Sequence, residues 1–186
     1  MSRLMPGPLV LVLVASAAAA PVLTAPESST KPANELVALM KARQLDAVAV
    51  EDPAAPGRFV AAMLIPDVQL LAVAGSSTAA DYLRAMMAQR NYAEVYSILH
   101  SAVAPETKLF FQDMDCDGLG GAGGGSVDIM YERGTSQTIF NGDWRGQKLS
   151  KQDYEEKFRR ADSEYGRMLT LLADALRESA DPGSRF

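Results

Sequence analysis

Residues 58–75, RFVAAMLIPDVQLLAVAG, contain two apolar runs separated by a Pro-Asp pair. Pro66 fixes φ at the value required by the second position of a tight turn, and Asp67 is a common turn residue. The pattern predicts a β-hairpin with strands 59–65 and 68–74. Both strands are apolar on both faces, whereas a strand with one face in solvent alternates with polar residues. We therefore expect the hairpin to lie in the middle of a sheet, with both faces covered.

Short strands and helices alternate along the chain on both sides of the hairpin. The predicted strands are 47–50, 94–102, 107–113, 127–132 and 137–140, and the predicted helices are 34–43, 78–91 and 150–177. Asn34 is expected to cap the first helix. The alternation of Val127, Ile129 and Tyr131 with the residues between them predicts a half-exposed strand. This order predicts an α+β domain with an antiparallel, split-barrel-like sheet of six or seven strands, flanking helices and a long C-terminal helix.

The last helix has the clearest pattern. Ser150 and Asp153 have the spacing of a capping box at its start. Its apolar residues recur at spacings of four and three and form one stripe: Tyr154, Phe158, Ala161, Tyr165, Met168, Leu172 and Ala175. We expect this stripe to be buried. It packs either on the sheet or, because a repeat of about 3.5 residues is typical of coiled coils, on a second copy in a homodimer.

The opposite side of the same helix carries charged residues. Glu156, Arg160 and Arg167 are expected to stay exposed. Glu155–Arg159 and Glu156–Arg160 are spaced for ion pairs along the helix.

The N-terminal residues predict export. Arg3 precedes the apolar run 9–14, and the small residues 17–19 fit a cleavage site. Residues 1–19 are therefore predicted to be a signal peptide, which places the protein in the periplasm or outside the cell. The expected organisation continues with a flexible tether at 20–33, a single domain at 34–178 and a disordered tail at 179–186. The mature chain has no second long apolar run, so no membrane span is expected in it.

Charge and cysteine content narrow the class of protein. The chain has 18 Lys and Arg against 23 Asp and Glu, and loss of Arg3 would leave 17 against 23, a net charge near −6. This acidic balance argues against a nucleic-acid partner. The single cysteine excludes an internal disulfide. Because His100 is the only histidine, a histidine-based metal cluster is not available, and any catalytic triad without His100 would need some other base.

An acidic segment follows the predicted strand 107–113. Asp113, Asp115, Asp117 and Gly118 match the start of a calcium loop, in which alternate carboxylates bind the ion and the glycine allows a sharp turn. The EF-hand pattern is not completed, although Asp128 is placed to supply a later ligand. The segment is either a calcium site or a solvated acidic turn.

The order of elements resembles that of the FMN-binding split-barrel superfamily, the pyridoxamine-phosphate-oxidase-like proteins. In that family, an arginine on a strand and the start of a helix hold the flavin phosphate. The resemblance implies that Arg58, Ser76, Ser77 and Thr78 occupy these positions, with Arg84 as the nearby cation. It also implies a flavin-dependent oxidoreductase with FMN as cofactor.

A second resemblance concerns short segments. GRFVAA, IPDVQLL, EVYSIL and DGL are similar to segments of exported bacterial proteins that have no assigned function. The sequence therefore favours an exported, non-catalytic domain that binds a small ligand or an envelope protein. The alternatives are an FMN-binding oxidoreductase and a calcium-stabilised binding module.

Overall fold

In the part of the chain that the structure describes, seven strands form one open sheet, and two helices pack together over one of its faces. The computed structural model describes residues 11–13, 28–65, 69–76, 107–120, 127–132 and 136–180. The elements are β1 Leu11–Leu13, α1 Thr30–Ala42, β2 Ala47–Glu51, β3 Arg58–Ile65, β4 Gln69–Ser76, β5 Thr107–Asp113, β6 Asp128–Glu132, β7 Ser136–Phe140 and α2 Lys151–Ala180. The α+β class and the long C-terminal helix are confirmed. The predicted segments 78–91 and 94–102 lie outside the described residues.

The sheet follows the order of the sequence, from β1 to β7. Strands β2 to β7 pair antiparallel, and β1 adds in parallel at the outer edge of β2, where Leu11 aligns with Val48. In the described part of the chain, the two ends of the sheet do not meet, so the six antiparallel strands form an open sheet and not a closed barrel. Three residues of the predicted signal peptide thus lie beside β2.

The hairpin β3–β4 lies in the middle of the sheet, as predicted. Val60 to Leu64 and Leu70 to Ala74 are each at most 5 % exposed, on both faces of the sheet. Ile65 pairs with Gln69, so three residues connect the strands instead of the predicted two. The connecting residues 66–68 lie outside the described residues.

Each face of the hairpin belongs to a different apolar cluster. One face joins the larger core, which also contains the buried side chains of α1 and α2. The other face forms a smaller cluster of Ala47, Ala49, Ala61, Met63, Leu71, Val73 and Phe110. Burial on both sides explains why the hairpin shows no alternation of polar and apolar residues.

Helix α1 begins at Thr30, four residues before the predicted start, so the predicted Asn34 cap is wrong. Asn34 lies inside the helix, and its Nδ2 donates to the carbonyl of Thr30 at 2.9 Å. Pro32 lies in the first turn, where its missing N–H costs no helical hydrogen bond. Pro32 and Ala33 are buried, so residues 30–33 of the predicted tether belong to the packed helix.

Helix α2 begins as predicted. The N–H of Asp153 donates to Ser150 Oγ at 3.1 Å, and the Ser150 hydroxyl donates to the Asp153 carboxylate. The apolar stripe packs on α1 and on β2, β3 and β4. Its members are buried except Phe158, which is half-buried beside the ring of Phe140. Because the sheet and α1 already cover the stripe, the dimer-seam interpretation is wrong. Neither helix of the described chain is long and apolar enough to cross a membrane.

Three predictions about charged residues of α2 are wrong. Arg167 is only partly exposed, because it forms ion pairs with Asp52 and Glu164, each at 3.0 Å. Glu155 pairs with Lys151 at 3.7 Å instead of with Arg159. Glu156 and Arg160 remain exposed, but no ion pair joins them within the described chain.

Strand β6 buries the face opposite to its most apolar side chains. Asp128 and Met130 are buried, whereas Val127 is 43 % exposed and Ile129 and Tyr131 are half-buried. The Asp128 carboxylate accepts hydrogen bonds from the loop that follows β5. These hydrogen bonds from the preceding loop allow the carboxylate to be buried against the alternation of the strand.

Candidate functional site

The acidic loop, residues 113–120, begins at the end of β5 and folds back on its first carboxylate. Asp113 accepts hydrogen bonds from the N–H groups of Asp117 at 3.2 Å and Gly118 at 2.9 Å. The hydroxyl of Tyr165 on α2 donates to the same carboxylate at 3.1 Å. The folded-back backbone therefore brings alternate side chains of the loop together.

Gly118 is required by both its backbone conformation and its surroundings. Its φ is +101°, in the region that favours glycine, and a Cβ there would lie 2.6 Å from the backbone nitrogen of Thr30. The next residue, Leu119, donates its N–H to Ser29 Oγ at 2.8 Å. The Ser29 hydroxyl in turn donates to Asp162 of α2 at 2.6 Å. The loop is thus fixed to the start of α1 and, through Ser29, to α2.

The structure brings the three predicted metal ligands together. Carboxylate oxygens of Asp113, Asp115 and Asp117 lie within 4.8 Å of one another. Calcium takes oxygen ligands at about 2.3–2.6 Å, so oxygens on opposite sides of an ion are about 5 Å apart. The loop can therefore place three carboxylate oxygens around one calcium ion. Asp128 approaches the same loop, accepting from Met114 N at 3.0 Å and Gly120 N at 2.6 Å.

The electrostatics of the acidic loop are unfavourable without a cation. Burial, together with the nearby Asp128, raises the pKa of Asp113 to about 7, and burial also raises the pKa of Asp128. Partial desolvation and the neighbouring Asp115 raise the pKa of Asp117 to about 6. The ion pairs of the described chain join none of these four carboxylates to Lys or Arg. A bound calcium ion would supply the missing positive charge.

A second candidate site surrounds Arg58 at the start of β3. Arg58 pairs with Glu164 of α2 and lies 3.7 Å from the buried carboxylate of Asp52. Arg167 contacts the same two acids. Burial favours the protonated form of Glu164, but hydrogen bonds from Arg167 and Arg58 hold its pKa below the ordinary value. The network keeps Arg58 in place between the sheet and α2.

Arg58 lines a groove of about 910 Å³ between the sheet and the first half of α2. Its base is formed by apolar residues of β5 and β6, among them Leu109 and Met130, and its rim by charged residues of α2. The Nε of Arg58 is buried and has no hydrogen-bond acceptor within the described chain. The groove itself combines apolar surface with exposed charge.

The structure places some of the residues assigned to flavin binding and not others. Arg58 and Ser76 are aligned across β3 and β4, so these two are close together. Ser77, Thr78 and Arg84 lie outside the described residues. The sequence did not indicate Asp52 or Glu164 as partners of Arg58. Glu164 is 106 positions from Arg58, and no local motif marks such a pair.

The chain was also compared with known proteins. A scan against protein-family models, a search of curated proteins and a search of solved structures found no match. The acidic loop and the groove are therefore the features of the molecule that bear on its function.

Proposed function

We propose that this protein is an exported, non-catalytic domain that binds a small ligand in the groove between the sheet and α2. The observation that carries the proposal is the groove itself. Its volume of about 910 Å³ lies within the usual range for small-molecule sites, about 300–1,000 Å³. Such sites pair apolar surface with polar groups that orient the ligand, and the groove offers an apolar base beneath a rim that is mainly charged.

Filling the groove should prevent ligand binding. Ser163 lines the groove and is half-buried, so Ser163→Trp places a large ring in it. Nile red, a neutral apolar dye, is expected to bind the unmodified protein and to bind this variant at least about tenfold more weakly. Thr170→Trp is the matched control, because Thr170 is an exposed residue of the same helix that does not line the groove. Equal dye binding by both variants would contradict the proposal.

FMN is tested as a ligand in a separate experiment, because Arg58 aligns with Ser76 across β3 and β4. An FMN-binding protein should be yellow when purified. FMN at 100 times its dissociation constant should add about 2.7 kcal/mol to the free energy of unfolding. A colourless protein whose melting temperature is unchanged by saturating FMN would eliminate the flavin oxidoreductase.

A calcium-stabilised binding module is the second candidate function. It is favoured by the three carboxylates gathered in the acidic loop and by the complete burial of Asp113 and Asp128. Calcium in this loop would hold the end of β5 against both helices, and the groove would remain available to a ligand. Melting curves with and without calcium test this candidate.

Export is part of the proposal. The mature protein is expected to begin at Ala20 or within a few residues of it, because residues 17–19 fit a small-x-small cleavage site. Cleavage there would remove β1 and leave the six antiparallel strands β2 to β7. Mass spectrometry of the protein from the cell-envelope fraction gives the N-terminus directly. A chain that retains Met1 in that fraction would show the prediction to be wrong.

A further inference from the structure

We infer that the outer edge of β2 is a surface for self-association. In the full chain, β1 covers this edge, and once residues 1–19 are removed, β2 of a second copy pairs with it antiparallel. The inference concerns a surface away from the groove, and only the removal of β1 in the cell rests on the export part of the proposed function.

The backbone of β2 presents unused hydrogen-bonding groups on the side away from β3. The N–H of Asp52 donates to the carbonyl of Arg58 at 2.7 Å, and the carbonyl of Asp46 accepts from the N–H of Leu64 at 2.9 Å. Even-numbered positions therefore bond to β3. Because alternate residues of a strand in an antiparallel pair bond to the same neighbour, the odd-numbered positions point to the outer edge. They are Ala47, Ala49 and Glu51.

The outer edge of β2 is covered by residues that belong to the predicted signal peptide. Within the described residues, Leu11–Leu13 pair in parallel with residues 48–50. Exposed edge strands usually carry charges, prolines or bulges that block pairing with another chain. Residues 47–50 are all apolar, the register with β3 is continuous, and the charge of β2 lies at its last residue, Glu51. Loss of residues 11–13 would thus leave an edge that can pair again.

The opposite edge of the sheet is protected by a residue that remains after cleavage. The N–H of Ile139 on β7 donates to Gln147 Oε1 at 2.7 Å, and Gln147 Nε2 donates to the carbonyl of Ile139 at 2.5 Å. The side-chain amide therefore bonds to β7 as a neighbouring strand would. Of the two edge strands in the described chain, β2 is the one that cleavage would uncover.

A second copy fits the edge of β2 because the strand is self-complementary. About a twofold axis at Ala49, each Ala49 faces the other, and Ala47 faces Glu51 of the second copy. Glu51 therefore does not meet a like charge. Val48 faces Val50 of the second copy, and β-branched residues make favourable cross-strand pairs. The three outward positions of each copy can together form about six backbone hydrogen bonds.

The size and charge of this contact predict a weak dimer. Two five-residue strands bury less surface than the total of about 1,600 Å² in a standard interface. Without Arg3, each copy has 17 Lys and Arg against 23 Asp and Glu, so the copies repel each other. Salt screens this repulsion beyond about 8 Å at physiological ionic strength. We therefore expect a dimer that depends on concentration and strengthens with added salt.

The test compares chains of residues 1–186 and 20–186 by sedimentation velocity at about 10 μM to about 1 mM, a range suited to weak contacts. The shorter chain is expected to dimerise, and the full chain to need at least about tenfold higher concentration. A shorter chain that stays monomeric, or equal dimerisation of both chains, would overturn the inference. A shorter chain that circular dichroism shows to be unfolded would also overturn it, because β1 would then be required for folding.

Both chains are produced directly, so the result does not depend on cleavage in the cell. Retention of Met1 in the envelope fraction would contradict export and leave self-association standing. Absence of Nile red binding would contradict the groove function and also leave it standing. Conversely, a monomeric shorter chain that binds the dye would overturn only the present inference.

Two proline variants of the shorter chain locate the contact. Ala49→Pro removes an outward N–H and is expected to weaken dimerisation at least about tenfold, since position 49 makes no bond to β3. Ile139→Pro is the matched control, because it removes an outward N–H from β7, where the acceptor is Gln147. Unchanged dimerisation of Ala49→Pro, or an equal loss in Ile139→Pro, would overturn the inference.

A peptide provides a measurement that does not depend on the folding of a variant. Residues 8–14 of this chain, followed by two lysines for solubility, are added to the dimer of residues 20–186. The peptide contains the β1 residues that pair with β2, so it is expected to compete with the second copy and restore the monomer. A dimer that persists at saturating peptide would place the contact elsewhere and overturn the inference.

Discussion

Replacing Tyr165 by Ala is expected to lower the free energy of unfolding by about 3–5 kcal/mol, the usual cost of removing a buried aromatic side chain. Tyr165 is fully buried on α2, with its ring centroid 4.9 Å from that of Phe111. Its hydroxyl donates to Asp113 at 3.1 Å. The substitution leaves a cavity under the sheet and removes a donor from a buried carboxylate. Denaturant melts monitored by circular dichroism measure the change.

Two further substitutions separate packing from hydrogen bonding. Tyr165→Phe keeps the ring and should cost only about 1 kcal/mol, because Asp113 retains its two backbone donors. Phe158→Ala should cost less than Tyr165→Ala, since Phe158 is only half-buried at the edge of the core. Thr170→Ala, on the exposed side of α2, should change stability by less than about 0.5 kcal/mol. Similar small effects from all four substitutions would show that α2 is not docked as described.

The second large effect is expected from pH and calcium acting on the acidic loop. In the presence of a chelator, the free energy of unfolding should fall as pH rises from about 5 to about 8. Burial raises the pKa of Asp113 from 3.8 to about 7 in the folded chain, so the folded state binds its proton more tightly than the unfolded state does. The burial cost is absent below the unfolded pKa, grows above it and is complete above the folded pKa. The full shift of the Asp113 pKa corresponds to about 4 kcal/mol, of which about 2.7 kcal/mol falls between pH 5 and pH 8.

Calcium should reverse this loss, because the ion binds the deprotonated carboxylates and supplies the positive charge that the loop lacks. Calcium at 100 times its dissociation constant should add about 2.7 kcal/mol at pH 8, and much less at pH 5, where protons compete. Asp115→Asn should weaken the calcium effect, since it removes one of the three ligands. Asp143→Asn, in the exposed turn after β7, is the control. A melting temperature that changes with neither pH nor calcium would exclude the calcium site.

The elements of this fold follow from local patterns in the sequence. Two apolar runs joined by Pro66-Asp67 predicted the central hairpin, because strand pairing across a short connection depends on neighbouring residues. The stripe from Tyr154 to Ala175 predicted the face of α2 that packs on the sheet, because helical spacing fixes which side chains share a face. The proximity of Asp113, Asp115 and Asp117 also follows from local sequence, since they lie within five consecutive residues.

Other features of the molecule depend on residues far apart in the chain, and the sequence did not reveal them. Alternation predicted a half-exposed strand at 127–132 but did not show that Asp128 is on its buried side, where loop N–H groups bond its carboxylate. Arg167 was expected to be exposed, but Asp52, 115 positions away, draws it into an ion pair. The spacing of apolar residues predicts which side chains share one face of a helix or strand. It does not show which distant part of the chain that face contacts.

The candidate site likewise has some features that the sequence indicated and others that only the tertiary structure shows. Local spacing singled out Asp113, Asp115 and Asp117 as a group, and the chemistry of carboxylates makes calcium the ion proposed for it. Only the tertiary structure showed that Tyr165 and the start of α1 fix this loop. The groove exists only where α2 crosses the sheet, so none of its properties can be derived from a single segment. Strand and helix formation is specified by neighbours along the chain, whereas burial of charge and the shape of a cavity are specified by packing between elements.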